Sequence, residues 1–270
     1  MTTLREELAG AVASLTEVGC DTPRLDSELL LAHVLHTDRA GLILRADEEA
    51  DGETRTRYLA LLTRRAKREP VAYILGYKDF RRLKLAVDPR VLIPRPETEF
   101  LVEAGLTLPA GVRVADVGTG SGAVALALKD ERPDLDVVGV DVSAGAVSVA
   151  RHNASRLKLD VEFVQGDLLE GVTADAVLAN LPYVADADLV APDVAIYEPH
   201  LALLGGPDGL DLVRKLVAQV GVRPEIRLLA LEIGYTQADA VAALLADAGF
   251  TDVERVPDLA DYERVIIGRR

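Results

Sequence analysis

The sequence predicts an α/β fold: a doubly wound, mostly parallel sheet preceded by a small helical bundle and a β-hairpin linker. Three observations predict it. From residue 111 onward, short apolar runs alternate with helical patterns, as in a chain of βαβ units. A glycine-rich turn, Gly118-Thr119-Gly120-Ser121-Gly122, joins the first of those runs to a helix. Before residue 70 the apolar spacing is helical.

The elements follow in order. Leu4, Leu8, Val12 and Leu15 recur at helical spacing until Gly19 breaks the pattern. Thr22-Pro23 starts a second helix, with Leu25, Leu29, Leu30, His33, Val34 and Leu35 on its apolar face. Leu42, Ile43 and Leu44 form a short apolar piece. Residues 53–68 predict another helix, with Leu59 and Leu62 inward and the arginines outward. Residues 70–80 and 83–87 read as two short strands around a turn. Pro94 and Pro96 then impose an extended chain, and Pro96 suits the first turn of the next helix. Residues 1–69 are therefore expected to form a helical domain, 70–96 the hairpin and extended linker, and 97–270 the sheet domain.

In the sheet domain, strands are predicted at 113–117, 136–142, 161–164, 174–179, 227–233, 253–256 and 264–268. Helices are predicted from the glycine turn to about Asp130, and over 143–157, 208–220 and 236–248. The last two strands have only a short link, so the final one should run antiparallel.

Composition narrows the function. No apolar run approaches the roughly 20 residues that span a bilayer. The charged amino terminus lacks an apolar signal core, and the lone Cys20 excludes an internal disulfide, so a cytoplasmic protein is expected. The net charge of −14 disfavours general nucleic-acid binding, which draws on phosphate contacts. One stretch runs the other way. Arg55, Arg57, Arg64, Arg65, Lys67, Arg68, Lys78, Arg81, Arg82 and Lys84 face only Glu69 and Asp79. It reads as a solvated helix face or as a docking patch for an acidic partner surface or RNA. His33, His36, His152 and His200 are scattered and imply no metal.

Glycines at a strand-to-helix turn let the backbone bend tightly and approach a ligand. The spacing Gly118-x-Gly120-x-x-Ala123 fits a nicotinamide dinucleotide and S-adenosylmethionine alike. Asp141, ending the second strand, is placed to accept both hydroxyls of an adenosine ribose. Asp167, after the third strand, is a helix cap or a partner for the adenine amino group, with Leu168 packing on the ring. Asp116 lies inside a strand, where a carboxylate is costly unless paired. It is expected to hold either the donor's amino group or the glycine loop.

The second constellation is Asn180-Leu181-Pro182-Tyr183, where the fourth strand ends. Ligands bind at this carboxyl edge in open α/β sheets. Asn180 offers a side-chain oxygen and Leu181 a backbone carbonyl, enough to accept both hydrogens of one NH2 group. Pro182 restricts Leu181 to an extended conformation, and Tyr183 can stack on a planar group. Such a site would hold an amide or an adenine nitrogen against a methyl donor.

Several segments together resemble one family, the N5-glutamine methyltransferases of peptide chain release factors, known as PrmC/HemK. They are Asp26-Ser27-Glu28-Leu29-Leu30-Leu31, Arg68-Glu69-Pro70-Val71-Ala72-Tyr73-Ile74-Leu75-Gly76, Leu92-Ile93-Pro94-Arg95-Pro96-Glu97-Thr98-Glu99, the glycine loop, Asn180 to Tyr183, Glu198-Pro199, Gly205-Gly206-Pro207-Asp208-Gly209-Leu210 and Leu231-Glu232-Ile233-Gly234. The resemblance implies a Rossmann-like class I methyltransferase domain with a seven-stranded sheet and S-adenosylmethionine as cofactor. It implies as acceptor the glutamine of a Gly-Gly-Gln loop in class I release factors, docked by the helical domain. It also implies that residues 95–97 line the site and that Glu198-Pro199 closes it. A monomer is expected, with no membrane partner and, given the charge, no nucleic acid. The family usually has proline where this chain has Leu181. Asn-Leu-Pro-Tyr also resembles the motif of ribosomal RNA adenine-N6 dimethyltransferases, so these four residues alone leave amide and adenine both open.

Overall fold

A computed structural model describes residues 2–188 and 190–270. The chain divides into two compact units. One comprises the chain up to Tyr77 together with Val190–Tyr197; the other is the rest.

The first unit is helical: α1 (Leu4–Glu17), α2 (Pro23–Val34), α3 (Arg39–Leu44), α4 (Gly52–Ala66), α5 (Val71–Leu75) and, much later in the chain, α9 (Pro192–Tyr197). Its helices start where local chemistry dictates. Thr3 and Glu6 form a reciprocal capping box on α1, Pro23 opens α2, and the Asp51 carboxylate accepts the Thr54 N–H at 2.7 Å to cap α4. Leu4, Ala11, Leu30, Leu31, Leu42, Tyr58 and Ile74 make the core.

Two expectations need correction here. Residues 71–75 are a helix, not a strand: Pro70 sets its start, and Gly76, at φ 78°, ends it in the left-handed region. A five-residue apolar run carries no periodicity that separates the two. In α4, Leu59 faces solvent, while Tyr58 and Arg65, seven residues apart and so on one face, are buried. Arg65 can turn inward because Asp26 (2.7 Å) and Asp193 of α9 (2.6 Å) accept its guanidinium.

The basic stretch is largely ion-paired within the chain. Arg55 meets Glu7, Arg64 meets Glu69, and Arg68 meets Asp193. In the second unit Arg81 pairs with Glu131 and Glu103, and Arg82 with Glu131.

The second unit opens, from Lys78, within a hairpin of β1 (Tyr77–Phe80) and β2 (Leu83–Ala86). It continues through α6 (Glu99–Leu106), β3 (Arg113–Val117), α7 (Ala123–Glu131), β4 (Asp136–Asp141), α8 (Ala144–Leu157), β5 (Glu162–Gln165), β6 (Ala176–Asn180), α10 (Asp211–Gly221), β7 (Leu228–Glu232), α11 (Ala238–Asp247), β8 (Asp252–Pro257) and β9 (Glu263–Arg269). The sheet has seven strands in the order β5-β4-β3-β6-β7-β9-β8, parallel except for β9, which pairs antiparallel with both neighbours. The expected fold class is therefore observed.

Strand alternation splits the core in two. Val114, Ala176, Leu178, Leu228 and Ala230 face α6, α7 and α8, while Ala115, Val177, Ala179, Leu229 and Leu231 face α10 and α11. From β3 the chain runs outward through β4 to the edge strand β5, and only then crosses back to the other side of β3, at β6. The carboxyl ends of β3 and β6 thus form the topological switch point, where open α/β sheets bind ligands.

Candidate active site

A cavity of about 340 Å³ opens at that switch point. Asp116, Gly118, Thr119, Gly120, Ser121, Asp141, Asp167, Leu168, Asn180, Leu181 and Pro182 all contribute to its wall. Gly122 and Tyr183 stand outside it.

The glycine loop is held from below. Burial pushes Asp116 up to about 6, against the pull of hydrogen bonds from Thr119 Oγ1 (2.6 Å) and the Ala125 N–H (3.1 Å) to its Oδ2. Of the two roles expected for Asp116, the geometry provides a brace for the loop. Gly118 has φ 76°, and a Cβ there would lie 3.2 Å from the Asn180 carbonyl oxygen, so only glycine lets β3 turn this close to the end of β6. Gly122 serves packing: a Cβ would come within 3.1 Å of Phe163.

Asp141 Oδ1 accepts from Ser143 N and Oδ2 from Gly120 N, each at 2.9 Å. Burial raises its pKa. The carboxylate is thereby locked in orientation, with lone pairs remaining toward the cavity, as a vicinal diol requires. Leu168, buried with φ 54°, supplies an apolar wall. An adenosine with a small charged tail fits this donor set: a carboxylate for the ribose, a bare glycine backbone beside the tail, and leucine for the ring.

On the opposite wall, Asn180 is the last residue of β6 rather than the first beyond it. Its Nδ2 donates to Thr98 Oγ1 at 3.0 Å. Leu181 is buried in the core on the α10 side. Tyr183 is also largely buried, which pushes its phenol up to about 12, and its carbonyl accepts from Gln237 Nε2 at 3.0 Å. The segment after β2 lines the rim through Arg90, Val91, Leu92, Pro94 and Thr98; Arg95 and Glu97 are not part of the wall. Pro199 is, and the buried Glu198 latches the segment by accepting the Ile93 N–H (3.1 Å) and pairing with Arg95 (2.5 Å).

Two residues escaped the site expected from sequence. Thr98, buried against Asn180, looked only like the start of a helix. Glu232 ends the wholly buried strand β7 beside Asn180. A carboxylate inside an apolar run was the available signal, since burying one needs a reason. Among the described residues, no group of His, Cys, Asp and Glu could hold a metal ion, and no helix is long and apolar enough to cross a membrane.

Residues 6–76 match the PrmC N-terminal domain, and residues 96–195 match the methyltransferase small domain. A methyltransferase structure from Pyrococcus furiosus, 17% identical, superposes with a TM-score of 0.53 over 79% of this chain and 98% of its own, a likeness of fold. The release factor glutamine methyltransferase of Koribacter versatilis is 40% identical over 279 residues, covering 99% of both chains. That of Deinococcus radiodurans is 40% identical over 275 residues, covering 99% of this chain and 98% of its own. With similarity running through the helical unit, the glycine loop and the end of β6 alike, the chain belongs to the release factor glutamine methyltransferase family.

Proposed function

We propose that the protein transfers a methyl group from S-adenosylmethionine to the side-chain amide nitrogen of the glutamine in the Gly-Gly-Gln loop of class I release factors. The observation that carries the reading is Asn180 in the cavity wall with its NH2 end tied to Thr98. That bond leaves Asn180 Oδ1 as the free acceptor. Leu181 brings a backbone carbonyl next to it, and together they take the two hydrogens of a substrate amide. When bound, S-adenosylmethionine supplies a methyl group on a sulfonium centre.

An amide nitrogen is a poor nucleophile because its lone pair is delocalised, so the protein has to position it. Orientation of that kind is worth up to about 7–11 kcal/mol. Pro182 holds Leu181 extended, and the surplus proton of the product leaves to water. Asp141 holds the ribose, and Asp116 works at one remove by bracing Gly118 to Gly122. The helical unit docks the release factor. The site needs no metal, and the lone buried Cys20 suits a cytoplasmic setting.

The test is mass spectrometry of a release factor incubated with enzyme and S-adenosylmethionine. A single added methyl on the loop glutamine is expected, and none when that glutamine is replaced. Equal labelling of both proteins, or preferential labelling of RNA, would refute the reading.

A further inference from the structure

We propose that Glu232 is a positioning residue that sets which way the Asn180 amide faces, acting through the Thr98 hydroxyl. The inference rests on the reading that Asn180 holds the acceptor amide. Glu232 pairs in register with Asn180 across the parallel strands β7 and β6. Leu228 and Ala230 on β7, and Ala176 and Leu178 on β6, share one core, so Glu232 and Asn180 follow them onto that face of the sheet. Glu232 is only 2% exposed and lies outside the cavity wall, behind Asn180. Thr98 stands near both: its side chain pulls the Glu232 carboxyl toward its charged form, and its Oγ1 takes the Asn180 Nδ2 proton at 3.0 Å.

The direction of this chain follows from what each group can do. A carboxylate only accepts, so the link proposed here runs from the Thr98 hydroxyl to Glu232. Thr98 Oγ1 is then left to accept, and the Asn180 NH2 end is its donor. The amide oxygen is thereby turned toward the cavity, the orientation that an incoming NH2 group needs. A protonated Glu232 could instead donate to Thr98 Oγ1, compete with Asn180 and free the amide to flip.

Glu232 Oε2 is the one buried side-chain nitrogen or oxygen among the described residues without a hydrogen-bond partner. A protein that needed Glu232 only for packing would do better with an apolar residue there. Around the carboxyl stand Thr98 and Glu97 before α6, Asn180 on β6, Tyr183 beyond it, Arg264 on β9, and Arg95. Burial, aided by Glu97, raises Glu232 to about 7, against the pull of Thr98, Arg264 and Arg95. Its charge therefore changes within the working pH range.

The experiment uses the full chain, S-adenosylmethionine carrying a labelled methyl group and a release factor, from pH 6 to 8.5. Glu232→Gln, Thr98→Val and Thr98→Ser are compared with wild type for kcat, for KM, and for cofactor Kd by calorimetry. In Glu232→Gln and Thr98→Val, kcat is expected to fall at least about tenfold at pH 8, the scale of a small misplacement of a reacting group. Cofactor Kd is expected to stay within about threefold. Thr98→Ser should recover most of the loss seen in Thr98→Val. Wild-type kcat should rise with pH around 7, and Glu232→Gln should lose that rise.

Wild-type kcat and pH profile in Glu232→Gln would overturn the proposal, as would a fall in cofactor affinity matching the fall in kcat. If Glu232→Gln does not fold, the two Thr98 variants decide: equal activity of Val and Ser overturns it. Wild-type enzyme that leaves the loop glutamine unlabelled would instead overturn the acceptor reading on which this stands.

Discussion

Asp116 and Glu232 are buried carboxyls on the same face of one sheet, separated by β6, yet they are held in opposite ways. Asp116 takes two hydrogen bonds on one oxygen, from Thr119 three residues on and Ala125 nine residues on. Glu232 has the Thr98 side chain near it and no hydrogen-bond partner on Oε2. The glycine-loop side, proposed to hold the cofactor, is thus braced from within its own strand, loop and helix. The Asn180 side, proposed to hold the acceptor, has an unmet polar group beside it and depends on Thr98, a partner drawn from far away in the chain. Rigid preorganisation suits the methyl donor, which every turnover shares. A directional chain suits the step that must select one nitrogen.

Substitution can break this contrast. The largest effect is expected from Asn180→Ala. It removes the amide acceptor and should lower turnover about 100-fold or more, while cofactor Kd measured by calorimetry changes only a few-fold. Equal losses in both would mean that the two walls are one. Next comes Asp116→Ala, which strands the Thr119 hydroxyl and the Ala125 N–H. A stability loss of about 1–3 kcal/mol in urea unfolding is expected, together with weaker cofactor binding. Leu181→Pro takes a buried side chain out of the α10-side core, and its melting temperature should drop by an amount equivalent to about 2 kcal/mol. A smaller loss would mean that the family's proline can pack there as well as leucine does.

The smallest effect concerns pH, and it sharpens the contrast. Both carboxyls have folded-state pKa values above their ordinary ones: Asp116 about 6 against 3.8, and Glu232 about 7 against 4.5. Between those limits the folded chain holds protons that the unfolded chain has released. Their contribution to stability is therefore full at low pH and declines as pH rises, over 3.8 to 6 for Asp116 and 4.5 to 7 for Glu232. Asp116→Asn and Glu232→Gln should each lose less stability than wild type on going from pH 4.5 to 7, and between 6 and 7 the difference should be larger for Glu232→Gln. Urea unfolding across this range measures both.

What could be read from sequence follows the same divide. The seven strands, the glycine loop and the Asn180 strand end were legible because each is written in a few consecutive residues. Thr119 stands three residues from Asp116, so that brace is local too. The link between Thr98 and Asn180 spans 82 residues and exists only because β6 and α6 pack together. Helix α4 hid its inward face for a related reason. Arg65 is buried by carboxylates on other elements, and no periodicity rule places an arginine inside in preference to Leu59. The strand-like run at 71–75 misled because it was too short to show a period.

The excursion of Val190–Tyr197 into the helical unit constrains how that unit can be handled as a piece of gene. A cassette ending at Tyr77 would keep Arg65 and Arg68 but leave behind Asp193, the carboxylate both of them use. Breaking a buried ion pair by removing one partner costs about 3–5 kcal/mol, a large part of what holds a small bundle together. The helical unit could then be transplanted onto another sheet domain only with its second, distant segment. Exchange between relatives would have to move both segments at once, or find a substitute anion for Arg65.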